Sequence, residues 1–263
     1  MNNGLCKIAS AILLVTTLTA CGLGAGNPTA VPVAPATTQV VLPTVQASDP
    51  CNNEYFPVKN NATYTYSSTG SPSGPYTFTR TITNVLANGF TIASKFKDLA
   101  PTQKWLCKPK GLTAIQLGAS DAPSMLAFEK FTNLRGSKIS GVMLPRKITS
   151  GATWIYSLDI QGIEKLQDGT TANMTGHVAI NYIAGNKESI TVPAGTFEAI
   201  AIEASTVIDF NVVTQSNTVK LSIESTYTIW YAPGVGWVKS SGNGKLGGQE
   251  YFETIVLESY NIP

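Results

Sequence analysis

Apolar and polar residues alternate with period two along most of this chain, and that pattern leaves an antiparallel β-sheet as nearly the only fold open to it. Successive side chains of a strand point to opposite faces, so an i, i+2 apolar series buries one face and leaves the other wet. Phe90, Ile92 and Phe96 form such a series, with Thr91, Lys95 and Lys97 facing away. Met174, Val178, Ile180 and Tyr182 form another. Ile200, Ile202, Ile208 and Phe210 follow, and then Val219, Leu221, Ile223, Tyr227 and Ile229. Ala87-Asn88-Gly89 and Pro193-Ala194-Gly195 supply tight turns between strands. Helical periodicity is nearly absent, and only Met125 to Phe131 admits a short helix.

The strands fall into two similar halves, 50–140 and 141–263. Asn61-Ala62-Thr63-Tyr64-Thr65-Tyr66-Ser67, led by Pro57-Val58-Lys59, is matched by Gly151-Ala152-Thr153-Trp154-Ile155-Tyr156-Ser157, led by Pro145-Arg146-Lys147. Trp105 precedes Gly111 by the same interval as Trp230 precedes Gly236. Each half ends in an aromatic segment, Phe128 to Phe131 and Tyr251-Phe252. Duplication explains these matches; chance recurrence in a chain rich in Thr and aromatics is the alternative. The expected fold is therefore all-β, from two antiparallel modules. They either share one core as a sandwich or join edge to edge into a curved sheet, a half-barrel. Tyr64, Tyr66, Trp105, Trp154, Tyr156, Trp230, Tyr231 and Trp237 recur at matched places. They either pack the core or line a groove for an apolar or sugar ligand.

Residues 1–20 have the order of an export signal: Lys7, an apolar run from Ile8 to Leu18, then the small residues Thr19 and Ala20. The run is too short to span a bilayer, which takes roughly 20 residues. Leu18-Thr19-Ala20-Cys21 resembles the lipobox of bacterial lipoproteins. The resemblance implies that Cys21 carries diacylglycerol and other acyl chains such as palmitate, and becomes the first mature residue. It places the protein on the outer face of a bacterial membrane, at the cell surface or in the periplasm, with the membrane as its partner through the anchor. An ordinary signal cleaved near Ala20 is the alternative. Residues 21–49 carry no charge before Asp49 and no aromatic residue. Such a segment buries too little to offset its ordering entropy and reads as a disordered, lipid-anchored tether. Residues 50–263 form the β domain.

Charged residues make up 13% of the chain and the formal net charge is +2, with no basic stripe, which argues against nucleic acid as a partner. Beyond Cys21, the mature chain has only Cys51 and Cys107. An exported compartment permits a disulfide between them, and closing that loop is worth about 4 kcal/mol in the chain-entropy model. Two free thiols are the alternative. Two cysteines and a lone histidine make no metal site, and no cofactor motif is present.

Catalytic constellations are also missing. His177 stands alone, on the polar face of its strand by alternation. A hydrolytic role would need an orienting carboxylate and a nucleophile, and no glycine-flanked serine elbow exists. Alternation puts Glu198 and Glu203 on opposite faces of one strand, and Glu253 opposite Glu250 and Glu258 on the last. Gly242, Gly244, Gly247 and Gly248 read as a flexible turn or bulge before the final strand. No enzymatic activity is expected.

Thr191-Val192-Pro193-Ala194-Gly195-Thr196-Phe197-Glu198, with the downstream run from Trp230 to Lys239, resembles a motif pair of uncharacterised bacterial lipoproteins and secreted β proteins. The segments Tyr55 to Tyr66 and Thr153 to Tyr156 fit the same pattern. The resemblance implies a curved antiparallel sheet, loosely like the half-barrels of the LolA and LolB lipoprotein carriers, without the helices that plug them. It transfers no catalytic residue. The function expected is a non-enzymatic, lipid-anchored domain binding a hydrophobic ligand or an envelope protein. A structural or assembly subunit of an envelope complex is the alternative.

Overall fold

The computed structural model describes residues 49–263 apart from 72–73, 117, 119–130, 167–168, 215–216 and 247–248. The export signal, Cys21 and all but the end of the tether lie outside the described residues. So does most of the stretch from Met125 to Phe131; its last residue, Phe131, opens a strand instead of continuing a helix.

Thirteen strands follow in chain order: β1 Thr63–Thr69, β2 Tyr76–Leu86, β3 Gly89–Phe96, β4 Thr102–Lys108, β5 Gly111–Ala114, β6 Phe131–Gly141, β7 Leu144–Pro145, β8 Thr153–Lys165, β9 Thr171–Val192, β10 Gly195–Val213, β11 Thr218–Ala232, β12 Gly236–Leu246 and β13 Gln249–Asn261. Among the described residues there is no helix, and so none long and apolar enough to cross a membrane. The strands form one antiparallel sheet in the order β6-β8-β9-β10-β11-β12-β13-β1-β2-β3-β4-β5-β7. The edge-to-edge arrangement is therefore the one adopted. β1 of the first module pairs with β13 of the second, and β8 pairs with β6.

The two edges of this sheet, β6 and β7, are consecutive in the chain, so the sheet has to curl until its ends meet. Met143 N donates to Leu112 O at 3.0 Å, and the Tyr156 hydroxyl donates to Ala114 O at 2.9 Å, tying β8 to β5. The result is a curled half-barrel with one continuous apolar core on its concave side. Thirteen strands closed into a round barrel would leave a wide lumen. Large side chains fill the concavity instead, among them Tyr55, Tyr66, Phe78, Phe96 and Phe210.

The sequence repeat maps onto the sheet strand for strand. Asn61 N donates to Ile82 O at 2.8 Å and Ile82 N to Ala62 O at 2.9 Å. In the second module Gly151 N donates to Ala184 O at 2.7 Å and Ala184 N to Ala152 O at 2.8 Å. Asn61 and Gly151 both hold left-handed φ, 65° and 80°. Counting from β1 in the first module and from β8 in the second, Trp105 and Trp230 lie on the fourth strand, and Gly111 and Gly236 open the fifth.

The modules differ in the length of their second and third strands, 11 and 8 residues in β2 and β3 against 22 and 19 in β9 and β10, and in how the fifth strand pairs. In the second, the fifth and sixth strands pair from Lys239↔Val256 to Leu246↔Gln249. In the first, β5 pairs with the two-residue β7 and not with β6. This leaves a seam where backbone pairing lapses.

The N-terminal segment plugs the concavity. Cys51 and Cys107 are disulfide-bonded, with Cα atoms 4.8 Å apart. Asn53 Nδ2 donates to Pro145 O at 2.9 Å, and Gly234 N donates to Glu54 O at 2.8 Å. So pinned, Phe56 stacks on Trp105 at 5.7 Å between ring centroids and lies 5.6 Å from Phe90.

Candidate functional site

The concave side of the sheet encloses two small spaces. A cavity of about 40 Å³ is walled by residues from β2, β4, β9, β11 and β12, including Arg80, Trp105, Tyr182, Tyr231 and Trp237, with Phe56 of the plug. A smaller one of about 10 Å³ lies beside it against Tyr64 and Tyr66, sharing Phe56, Arg80 and Trp237. One water needs roughly 10–15 Å³ by this measure, so the larger space takes about three.

The eight matched aromatics divide. Tyr64, Tyr66, Trp105, Tyr156 and Trp237 are buried in the core. Tyr231 lines the cavity. Trp154 lies inside, stacked on Tyr182 at 5.1 Å, and its indole donates to Met143 O at 3.2 Å. Trp230 is a correction to the expected groove. Adjacent to Tyr231 on one strand, it faces the other way, where its indole donates to Glu188 Oε1 at 2.6 Å and Lys239 Nζ sits 5.0 Å from its ring.

Two ionisable residues face inward: Glu253, set opposite Glu250 and Glu258 by alternation but given no role, and Arg80, which sequence reasoning passed over. Arg80 is 5% exposed and Glu253 is 0% exposed. The signal was present: each interrupts an apolar series, Phe78-x-Arg80-x-Ile82 and Tyr251-x-Glu253-x-Ile255-x-Leu257. Glu253 is held by hydroxyls. Ser68 and Tyr76 donate to its Oε1 at 2.5 and 2.7 Å, and Tyr227 donates to Oε2 at 3.3 Å. Arg80 has a different setting. Its Cζ lies 5.6 Å from the centroid of the Trp237 ring, and the Tyr66 hydroxyl is within hydrogen-bonding reach. The Arg80 Nε and the Trp237 Nε1 are buried with no hydrogen-bond partner.

Burial dominates the titration of the interior tyrosines. It pushes the Tyr64 hydroxyl up to about 12, against the opposing pull of the Arg80 cation. It pushes Tyr66 and Tyr227 higher still, with the neighbouring Tyr251 and Glu253 adding to the rise at Tyr227.

The outer face carries a cross-strand row of polar side chains. His177 Nδ1 lies 2.7 Å from Asp159 Oδ1, and Lys138 Nζ is 2.9 Å from Asp159 Oδ2. The hydrogen bond from His177, and then that from Lys138, hold the Asp159 carboxyl below its ordinary range. Asp209 is the register partner of His177, and the Ser222 hydroxyl donates to Asp209 at 2.8 Å. This serine is engaged by Asp209 and not by the imidazole, so the row lacks the nucleophile–base contact of a hydrolase. Among the described residues no group of three or more His, Cys, Asp or Glu is placed to hold a metal ion.

Glu198 and Glu203 are both exposed, contrary to the opposite faces expected from strict alternation. Between Ile200 and Ile202 one residue of β10 faces two of β9, and this register shift changes which parity of β10 points outward beyond it.

Fold and interior together define a curled β-sheet domain with charged groups set inside an aromatic core. The chain belongs to the DUF3108-like family, whose model matches residues 116–250, from just past β5 to the start of β13. Its structure is similar to that of a "putative exported protein with YmcC-like fold" from Bacteroides fragilis, at 12% identity and TM-score 0.49, over 80% of this chain and 100% of that one. It is also similar to a "putative lipoprotein" from Parabacteroides distasonis, at 14% identity and TM-score 0.45, over 80% and 99%. Comparison with curated proteins returns no match.

Proposed function

We propose that this is a lipid-anchored, non-enzymatic binding protein of the cell envelope, taking a ligand with a hydrophobic part into the concave side of its sheet. The observation that carries this reading is the cavity walled by Phe56, Trp105, Tyr182, Tyr231 and Trp237. The disulfide supports an oxidising, extracytoplasmic location. The lipobox-like Leu18-Thr19-Ala20-Cys21 supports the anchor. The space present is far smaller than an acyl chain, so a ligand of that size enters only as the sheet opens. Among the described residues, the seam between β5 and β6 has no ladder of paired backbone to break.

The test is mass spectrometry of organic extracts from protein purified out of its own membrane, paired with titration of a neutral apolar fluorophore. A co-purifying amphiphile near one per chain, displaced by the fluorophore, is the expected result. Neither an extracted ligand nor fluorophore binding would overturn the reading.

An assembly role is the second reading. It is favoured by Ile155 and Ile183, which are 59% and 49% exposed and diagonal to one another across β8 and β9 on the outer face. Paired exposed aliphatics of this kind suit a protein contact.

A further inference from the structure

We propose that Arg80 anchors a carboxylate inside the curled sheet, so that the ligand is an organic acid whose charged end docks against the guanidinium. This rests on the reading of the interior as a binding cavity and names the chemistry of its occupant.

A buried guanidinium demands a counter-charge, because removing it from water is costly and the penalty is recovered only by a paired anion or a full set of acceptors. Arg80 has neither. It sits between Phe78 and Ile82 on the inward face of β2, and no carboxylate lies within ion-pair distance of it among the described residues. Glu253, the other interior ionisable group, is served by Ser68, Tyr76 and Tyr227. The face of Trp237 and the hydroxyl of Tyr66 offset part of the cost, as ring quadrupoles and neutral oxygens do.

Ser225 Oγ, which can donate and accept, is buried without a partner on the cavity wall, and so are two nitrogens that can only donate. Arg80 Nε and Trp237 Nε1 are both hydrogen-bond donors, both buried without a partner, and both belong to residues walling the same cavity. Two unpartnered nitrogens that can only donate, beside a hydroxyl that can do either, favour an acceptor-rich occupant of this small space. The fork of a guanidinium matches a planar carboxylate in two parallel hydrogen bonds. The cavity of about 40 Å³ has the room of about three waters, which is the size of a carboxylate group. Two sources share this chemistry: a small free acid, and the head of an amphiphile whose chain needs the sheet to open.

The experiment uses the full chain with Cys21→Ser, so that no attached acyl chain competes. Binding of acetate, acetamide, decanoate and decanol is read by calorimetry and by the shift of the thermal unfolding midpoint. The charged member of a pair is expected to bind at least tenfold more tightly than its neutral partner. A preference seen with acetate identifies a small acid, and one confined to decanoate identifies an amphiphile. Arg80→Met should abolish the preference while unfolding no earlier than the parent without ligand, since it removes an unpaired buried cation. Arg80→Lys, which keeps the charge and loses the fork, should weaken it several-fold. Equal binding of charged and neutral probes, or a preference that survives Arg80→Met, overturns the assignment and leaves the cavity reading standing. Binding of no probe at all overturns both. Should Arg80→Met fail to fold, the parent's discrimination and the Arg80→Lys variant still decide.

Discussion

At the scale of single residues, the interior is set by side chains that break the apolar pattern. Arg80 and Glu253 occupy positions where alternation requires apolar groups, and their surroundings are built from hydroxyls and aromatic rings. Burying those hydroxyls has a consequence at high pH. Tyr64 in the unfolded chain ionises at about pH 10, and in the fold at about 12. A raised folded-state value means that the contribution to stability is complete below about pH 10 and is lost as pH rises through the folded value. The thermal midpoint should therefore fall between those limits, and Tyr64→Phe should lessen the fall. Thermal melts across that range, followed alongside phenolate absorbance, check this. An unchanged pH profile in the variant would mean that Tyr64 is not among the groups responsible.

At the scale of elements, the repeat gives a controlled comparison. Gly111 and Gly236 open the fifth strand of each module with φ of 147° and 108°, a region that L side chains rarely adopt. A Cβ on Gly236 would meet nothing closer than Pro57 Cδ at 3.7 Å, whereas one on Gly111 would lie 2.2 Å from Leu144 O and 2.7 Å from Pro145 Cα. Gly236→Ala should cost the backbone strain alone, roughly 1–3 kcal/mol. Gly111→Ala should cost measurably more, because β7 has to move. Urea unfolding midpoints of the two variants test the order. Gly242 and Gly244 are a correction of the same kind. They lie within β12, where a Cβ would fall 2.1 Å from Thr226 O and 2.2 Å from the Tyr251 hydroxyl, so close packing requires them, not a flexible turn.

At the scale of the whole molecule, the sheet curls into a ring whose β5–β6 seam has no backbone ladder among the described residues. β13 pairs with β1 through a ladder with one irregularity and β6 with β8 through one with two, whereas the β5–β6 seam is held by bonds such as Tyr156 hydroxyl to Ala114 O. Local opening draws on the elements with the fewest paired backbone groups. Hydrogen exchange should therefore release the amides bonding β6 to β8 at a lower opening free energy than those bonding β12 to β13. Simultaneous exchange of both sets would remove the seam as the route into the interior.

Much of this was legible in the sequence. Alternation in Phe90 to Phe96 or Met174 to Tyr182 names the buried face of each strand, since side-chain direction follows from backbone geometry alone. Asn61 to Ser67 against Gly151 to Ser157 exposes the repeat, and the two mature cysteines suggest their own bridge. Period two says which face of a strand is buried but not which strand lies beside it. Pairing between distant strands, the bulge after Ile200 and the lapse between β5 and β6 are settled by long-range packing. Only the curled sheet brings Phe56, Trp237 and Arg80 around one cavity, where the arginine is a buried cation with no carboxylate in ion-pair reach among the described residues.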